Sequence, residues 1–164
     1  MEKAEIGLIL EDQRNFFASG KTLDINYRLE NLKKLRSLIL SHEEKLRDAL
    51  CKDFHKPYFE VLGTESRFVV AELNMLIRNL RKWSGRQRVR TSPVNFVAGS
   101  YILPQPYGQV LILSPWNYPF QLSMVPAMSA LAAGNCVVLK VSQKATNTGD
   151  VISKILSHFP QELI

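Results

Sequence analysis

The sequence predicts an α/β chain in which N-terminal helices are followed by an edge strand and then by a β-α-β-α unit that begins a parallel sheet. Three observations predict this class. Apolar residues recur at helical spacing through residues 1–92, prolines flank short apolar runs in residues 93–106, and residues 107–164 hold two strand-like runs around a helical one. With 46% hydrophobic and 22% charged residues, the 164-residue chain has a globular composition and can bury a sizeable core.

Four stripes of apolar residues, spaced three to four apart, predict four helices in the first half. Gly20 ends the first helix, and Ser41 with Glu44 three residues later forms a capping box that predicts the start of the third. The stripes cover residues 6–17, 25–39, 46–54 and 62–83.

The segment 93–106 differs in character from the helices before it. Residues 94–97 and 100–103 are typical of extended chain, and Pro104 and Pro106 bound the second run. Because proline cannot donate to a sheet, these prolines favour an edge strand over a central one.

The last third predicts the β-α-β-α unit. Residues 109–114 form a short apolar run between Gly108 and Pro115, and residues 136–140 form a second run of strand character. Residues 120–133 between them are helical in pattern, and Gly134 is suited to end a helix in a left-handed conformation. Two such strands joined by a helical crossover pair in parallel with a right-handed connection.

A final helix is predicted after the second strand. Residues 146–148 offer candidate N-caps, and the apolar stripe of residues 151–159 is ended by Pro160.

Two polar clusters follow the two strands. The first is Trp116-Asn117-Tyr118 and the second is Lys140-Val141-Ser142-Gln143. Ligands of parallel sheets bind at the carboxyl ends of the strands, so we expect both clusters to lie at one ligand-binding edge.

These residues resemble the motifs of the aldehyde dehydrogenase family. The chain reads Pro115-Trp116-Asn117-Tyr118-Pro119 after the first strand, and AAGNCVVLK over residues 132–140 after the crossover helix. The motif DFHKP at residues 53–57, with Glu60 downstream, is similar to the class 3 and fatty aldehyde dehydrogenase branch. The resemblance runs nearly end to end, and two long motifs in the right order make it specific.

The resemblance implies that residues 1–164 form part of a cofactor-binding domain with a Rossmann-like sheet, an incomplete aldehyde dehydrogenase fold. The parent enzyme would oxidise an aldehyde to a carboxylic acid with NAD or NADP. The family's nucleophilic cysteine and general-base glutamate lie beyond Ile164, so we expect the chain alone to be inactive and the catalytic domain to be absent from it. The family also implies that the 93–106 segment takes part in forming a homodimer of the complete protein.

Each polar residue has a structural alternative to its implied role. Asn117 matches the family's oxyanion-hole asparagine, although an isolated asparagine between prolines would be an Asx-turn residue. Trp116 and Tyr118 are usually packing residues, but the resemblance places Trp116 beside the nicotinamide and Tyr118 on the aldehyde pocket wall. Lys140, otherwise a solvated lysine, matches the family lysine that binds the adenosine ribose.

Gln143 departs from the family pattern. Members commonly read K-P-S-E, whereas this chain reads Lys140-Val141-Ser142-Gln143. The family's glutamate accepts hydrogen bonds from ribose hydroxyls, and a neutral glutamine would repel a 2′-phosphate less. The departure suggests that the protein accepts both NAD and NADP.

Several other functions are disfavoured. His42, His55 and His158 lack metal-ligand spacing, so no metal site is expected. Cys51 and Cys136 are too far apart for a CxxC motif and neither is expected to be the nucleophile. Together with the absence of a signal peptide in the first residues and of an uninterrupted membrane-spanning run, this composition predicts a cytoplasmic protein.

Two alternatives to an enzyme remain open at this point. One is a non-catalytic truncated product that binds intact subunits through the 93–106 edge. The other is a basic helical module that binds nucleic acid through a run of cations without acids, although we favour a basic helix end for this short run, in which Trp83 is the one aromatic, and expect no nucleic-acid partner. The run comprises Arg78, Arg81, Lys82, Arg86, Arg88 and Arg90.

Overall fold

The structure, a computed structural model, describes residues 3–164, and residues 1 and 2, on which the expected absence of a signal peptide partly rests, lie outside it. Seven α-helices and four strands follow one another in the described chain. The helices are α1 (Lys3–Ala18), α2 (Ile25–Ser41), α3 (Glu43–Phe54), α4 (Tyr58–Glu60), α5 (Arg67–Trp83), α6 (Gln121–Ala133) and α7 (Thr146–Leu156). The strands are β1 (Gln87–Val89), β2 (Ser100–Ile102), β3 (Gln109–Leu113) and β4 (Cys136–Lys140).

The helical first half is confirmed, with one helix start in a different place. The predicted capping box is wrong because α2 runs through Ser41, whose hydroxyl donates back to the Leu38 carbonyl instead of capping α3. His42 precedes α3 without a capping hydrogen bond from its side chain. Helix α4 continues through a π-helical segment, Val61–Ser66, directly into α5.

The core lies between the helices and the parallel strands. Helix α2 packs against both α5 and α6, and α3 packs against α7. Each fully buried aliphatic or aromatic side chain contributes roughly 1.5–3 kcal/mol relative to an exposed one. The fully buried side chains include Leu32, Leu35, Ile39, Leu50, Leu73, Phe120, Met124 and Ile152.

The segment 93–106 is only partly extended. Residues Pro93–Asn95 form a 3-10 turn, so the expected extended chain at 94–97 is wrong. Strand β2 pairs antiparallel with β1, which lies inside the 1–92 region that was predicted to be wholly helical. The edge strand therefore belongs to a separate two-stranded ribbon and does not extend the parallel sheet.

The parallel pair is confirmed in position and direction. Strand β3 pairs with β4 in a register that sets Gln109 opposite Cys136 and Leu113 opposite Lys140. Both strands therefore end at the same edge, and the polar clusters that follow them are neighbours. Helix α6 connects them and ends, as predicted, at Gly134, which has φ 94°.

The outer edge of β4 is partly occupied within the chain. The Gln13 side chain, 1% exposed, donates from Nε2 to the Val137 carbonyl at 2.9 Å. The Val137 N–H donates to the Leu163 carbonyl, also at 2.9 Å. Helix α1 is thereby attached to the sheet by a buried polar contact as well as by apolar packing.

Replacing Gly134 by alanine should destabilise the chain. A Cβ atom there would lie 3.0 Å from the Thr22 carbonyl oxygen, on a backbone with positive φ. We expect the Gly134→Ala free energy of unfolding, measured by urea denaturation, to fall by about 1 kcal/mol or more. Gly63→Ala is the matched control because nothing lies within 4 Å of its Cβ, and it should leave stability equal or higher. Equal losses in both variants would contradict this account.

Candidate functional site

The candidate site is the 115–119 loop between β3 and α6, together with the residues around it. The loop is fixed at its start, where the Ser114 N–H donates to the Lys140 carbonyl at 3.1 Å. It is fixed at its end by the buried Ser123, whose hydroxyl donates to the Pro119 carbonyl and lies 2.7 Å from the Ser114 hydroxyl oxygen. Both ends of the loop are thus held by the sheet and by the first turn of α6.

The middle of the loop presents its side chains to an open cleft. Trp116, Asn117 and Tyr118 are all exposed and line a hollow of about 370 Å³. The opposite wall comes from the end of α3 and the start of α4, namely Phe54, His55, Lys56, Pro57 and Glu60. The structure therefore brings the three predicted residues of the first cluster together in one cleft.

A buried ion pair lies beneath the loop. Lys56 Nζ is 2.6 Å from Glu65 Oε1, with the Lys56 side chain 9% exposed and that of Glu65 fully buried. The other carboxylate oxygen, Oε2, accepts from the Phe120 N–H at 3.1 Å and the Gln121 N–H at 2.9 Å. The N-cap residue of α6, Phe120, makes no capping hydrogen bond through its side chain. Glu65 therefore satisfies the free backbone N–H groups at the start of this helix.

Two effects act in opposite directions on the Glu65 carboxyl. Burial raises its pKa, while Lys56 and the two backbone N–H groups lower it, and burial is the larger effect, so the pKa is raised overall. The pair therefore adds little to net stability, because desolvation offsets its attraction. Its clear consequence is geometric, since it fixes where α6 begins.

The second cluster lies at the end of β4. Lys140 and Gln143 are exposed and do not line the cleft of the first cluster. The two clusters are nevertheless in contact through Lys144, whose Nζ lies 5.5 Å from the centroid of the Trp116 ring. The loops after β3 and β4 thus form one continuous polar edge.

The helix after this cluster is capped by a distant residue. The expected caps at residues 146–148 are wrong, because Ala145 occupies the N-cap position. The Asp53 carboxylate at the end of α3 instead accepts from the backbone N–H groups and side chains of both Asn147 and Thr148, at 2.7–3.2 Å. Burial alone would raise the pKa of Asp53, but these hydrogen bonds outweigh it and lower the pKa.

The donor set at the end of β4 fits a cofactor that is held by its sugar. Lys140 and Gln143 offer an exposed ammonium and an exposed amide, which suit ribose hydroxyls. The first turn of α7, by contrast, already binds the Asp53 carboxylate and so does not offer its N–H groups to a phosphate.

Neither cysteine lines the cleft, and of the three histidines His55 is the one that does. Cys136 is fully buried, and burial raises the pKa of its thiol to about 11, which disfavours the reactive thiolate. Cys51 is exposed on α3. No group of three or more potential metal ligands occurs among residues 3–164 as described, and no helix there is both long and apolar enough to cross a membrane.

Larger hollows occur elsewhere in the described chain, two of about 440 Å³ and one of about 400 Å³, but none of these three is lined by a predicted site residue. One lies between α2, α5 and the 103–106 segment, and the only charged group that lines it is Arg28. That guanidinium already donates to the Leu23 and Ala132 carbonyls and to the Ser84 hydroxyl. We therefore place the candidate site at the polar cleft.

Glu65 was not predicted as part of the site, and Asp53 and Lys56 were noted only within the motif DFHKP. A signal for Glu65 was present, because it lies between Leu62 and Val69 on an apolar stripe, where a buried acid requires a partner. Nothing local identified the partner, since Glu65 and the backbone it binds are 55 and 56 residues apart.

Removing the Asp53 charge should destabilise the chain in a pH-dependent way. We expect Asp53→Asn to lower the free energy of unfolding by about 1 kcal/mol at neutral pH, the usual value of a helix cap. A lowered carboxyl pKa contributes stability above the unfolded value near 3.8, and this is lost as the pH falls through the folded value. The difference between wild type and variant should therefore shrink in acid.

Urea denaturation at neutral and acid pH measures this difference. Asp48→Asn is the matched control, because Asp48 is an exposed acid on the same helix whose salt bridge, with Arg47, lies at the surface. A loss of stability that is equal at both pH values would contradict the capping role.

Comparisons with known proteins agree with the fold. A sequence model of the aldehyde dehydrogenase family matches residues 1–164. The chain is 39% identical over 150 residues to aldehyde dehydrogenase family 3 member B1 of Bos taurus, covering 92% of the chain and 32% of that protein. It is 36% identical over 155 residues to aldehyde dehydrogenase family 3 comG of Dictyostelium discoideum, covering 94% and 33% respectively.

Solved structures give the same result. The substrate-bound state of Staphylococcus aureus AldH superposes with a TM-score of 0.95 at 36% identity, over 97% of this chain and 35% of that one. Succinic semialdehyde dehydrogenase from Streptococcus pyogenes in complex with NADP+ matches with a TM-score of 0.81 at 17% identity, over 96% and 34%, which shows the fold alone. The chain spans about a third of the length of the relatives it matches. With its whole length matched by the family's sequence model, the chain belongs to the aldehyde dehydrogenase family.

Proposed function

We propose that this chain supplies part of the cofactor-binding domain of an NAD(P)-dependent aldehyde dehydrogenase that oxidises an aldehyde to a carboxylic acid. The observation that carries the proposal is the cleft, in which Asn117 is exposed on a loop fixed at both ends. In the proposed division of labour, the nucleophilic cysteine and the general-base glutamate come from residues outside this chain.

Asn117 is assigned the oxyanion role. When a thiolate adds to an aldehyde, the carbonyl oxygen becomes negatively charged, and a fixed amide N–H that donates to it lowers the barrier. A donor must be held before the reaction to be effective, because reorienting it during the reaction costs free energy. The rigid attachment of the 115–119 loop supports this role for the Asn117 side chain.

Trp116 and Tyr118 are assigned to the substrate pocket, and Trp116 also to the cofactor side of it. Trp116 is 51% exposed and Tyr118 is 36% exposed, which leaves ring surface available to a ligand. Their remaining surface is already engaged, by Phe54 and Lys144 for Trp116 and by Lys56 for Tyr118. Rings held in this way could exclude water from the reacting carbonyl.

Lys140 and Gln143 are assigned to binding NAD or NADP through the adenosine ribose. When bound, the nicotinamide cofactor accepts the hydride that leaves the substrate. Because Gln143 is neutral, we propose that the enzyme accepts both cofactors. The proposed enzyme is a homodimer in the cytoplasm, in which the apolar and exposed 93–106 segment contributes to the subunit interface.

The oxyanion role predicts a large effect of one small substitution. In the full-length enzyme that carries these residues, Asn117→Ala should lower kcat by ~100- to 1000-fold, because one oxyanion donor is lost. Steady-state kinetics of aldehyde-dependent NADH formation measures the effect. Asn79→Ala is the matched control and should retain activity, because Asn79 is a partly exposed residue of α5 whose side chain donates to the Met75 carbonyl of the same helix. An Asn117→Ala enzyme with unchanged kcat would refute the assignment.

The ribose role of Gln143 predicts a change in cofactor choice. Gln143→Glu should weaken NADP binding by about tenfold, equivalent to ~1.4 kcal/mol, because a carboxylate repels the 2′-phosphate. NAD binding should be unchanged or tighter. Dissociation constants from titration calorimetry with each cofactor measure both values, and a wild-type protein that binds NAD far more tightly than NADP would remove the hypothesis.

A further inference from the structure

We propose that the buried pair of Lys56 and Glu65 is a positioning device that holds Asn117 and Tyr118 in the orientation the reaction requires. This inference rests on the proposed function, because the orientation matters for catalysis only if the 115–119 loop takes part in it. Neither residue needs to contact the substrate's reacting atoms, so both are positioning residues.

The Glu65 carboxylate fixes the exit of the loop. One oxygen contacts Lys56 Nζ at 2.6 Å, and the other accepts the Phe120 and Gln121 N–H groups at 3.1 and 2.9 Å. Phe120 follows Pro119, the last loop residue, so its N–H is three residues from the Asn117 backbone. A shift of this carboxylate would therefore move the loop with the first turn of α6.

Lys56 fixes a second point, within the loop itself. Its Nζ lies 4.2 Å from the centroid of the Tyr118 ring, the closest cation-ring approach among the described residues. A cation over an aromatic face is attracted to it, and more strongly when partly desolvated, as Lys56 is at 9% side-chain exposure. Tyr118 is adjacent to Asn117, so the ring contact restrains the residue beside the proposed oxyanion donor.

The backbone around Glu65 is itself unusual. Glu65 lies in the π-helical segment Val61–Ser66 between α4 and α5. Such segments change the direction in which a side chain leaves the helix, and they occur often at functional sites. Here Glu65 points inward and has no solvent exposure, whereas Glu60, one turn earlier, reaches Lys56 only at 4.0 Å.

The pair is poorly explained by stability alone. Burial is the dominant effect on the Glu65 carboxyl and raises its pKa, so ionising it inside the protein is unfavourable. Replacing a buried ion pair by apolar residues is often neutral or stabilising. A geometric role accounts for a buried carboxylate that uses both of its oxygens on fixed partners.

Kinetics of the full-length enzyme test the proposal. Glu65→Gln and Lys56→Met should each lower kcat by about 100-fold, the cost of a small misplacement of a catalytic group. Lys56→Arg keeps the positive charge and should retain much of the wild-type kcat. Glu43→Gln is the matched control, because Glu43 pairs with Ser66 and Arg67 on the same helical segment without contacting the loop. Its kcat should be unchanged.

The double variant Lys56→Met with Glu65→Leu separates positioning from folding. By removing both charges, it should regain the thermal stability that each single variant loses, while its kcat stays low. If the double variant regains both stability and kcat, the pair is only structural and the proposal is overturned.

A second readout does not depend on activity. The backbone amides of Phe120 and Gln121 donate to Glu65, so their hydrogen exchange reports on the end of the loop. In the full-length protein, Glu65→Gln should speed the hydrogen exchange of peptides that cover residues 115–121 as the loop gains freedom, and Glu43→Gln should not. Unchanged exchange in Glu65→Gln would refute the positioning role even in an active enzyme. If the full-length protein oxidises no aldehyde, the proposed function fails, while hydrogen exchange still decides whether the pair holds the loop.

Discussion

The site depends on one carboxylate, that of Glu65. Its two oxygens connect three parts of the chain: the π-helical segment that carries it, Lys56 at the end of α3, and the first turn of α6. An N-terminal helix end leaves N–H groups without partners, and a buried end without partners is unfavourable. Glu65 supplies a partner with full charge, so the helical layer determines where the crossover helix begins and how the loop before it is held.

The turn at residues 53–56 contacts the loops that follow both parallel strands. Asp53 binds the start of α7, just after the β4 loop, and Lys56 binds Glu65 and Tyr118 beside the β3 loop. Between them His55 adopts a left-handed conformation, with φ 55°, an uncommon state for a residue with a side chain. The reversal at His55 ends α3 and lets two residues of one turn reach different loops. The spacing of the loops is therefore set from outside the sheet.

Much of the fold was predictable because its determinants are local. The bounds of β4 and the end of α6 follow from an apolar run and from a glycine, which specify backbone conformation within a few residues. The pairing of β1 was missed because a short exposed strand carries little hydrophobic pattern. The 3-10 turn at Pro93–Asn95 has no buried residues and was missed for the same reason. The start of α3 was misplaced because Ser41 had a competing local acceptor in the Leu38 carbonyl.

The exposed residues of the candidate site were predictable from the sequence, whereas the residues that hold them in place were not. Asn117, Trp116 and Tyr118 lie within a motif whose spacing is fixed by the chain, and the parallel register explains why their cluster adjoins that of Lys140. The contacts of Asp53 and Glu65 with the starts of α7 and α6 join residues 94–95 and 55–56 positions apart. Such pairs depend on how helices pack, which no local pattern of apolar residues determines.

The amide of Gln13 has a consequence for association with other chains. An exposed strand edge offers free N–H and C=O groups to any extended segment, and foreign strands that pair there can start aggregates. On β4 the two outward groups of Val137 already bind Gln13 and Leu163. An intruding strand would have to displace helix α1 and the segment that carries Leu163 before it could pair at Val137, so this part of the edge resists unwanted strand addition.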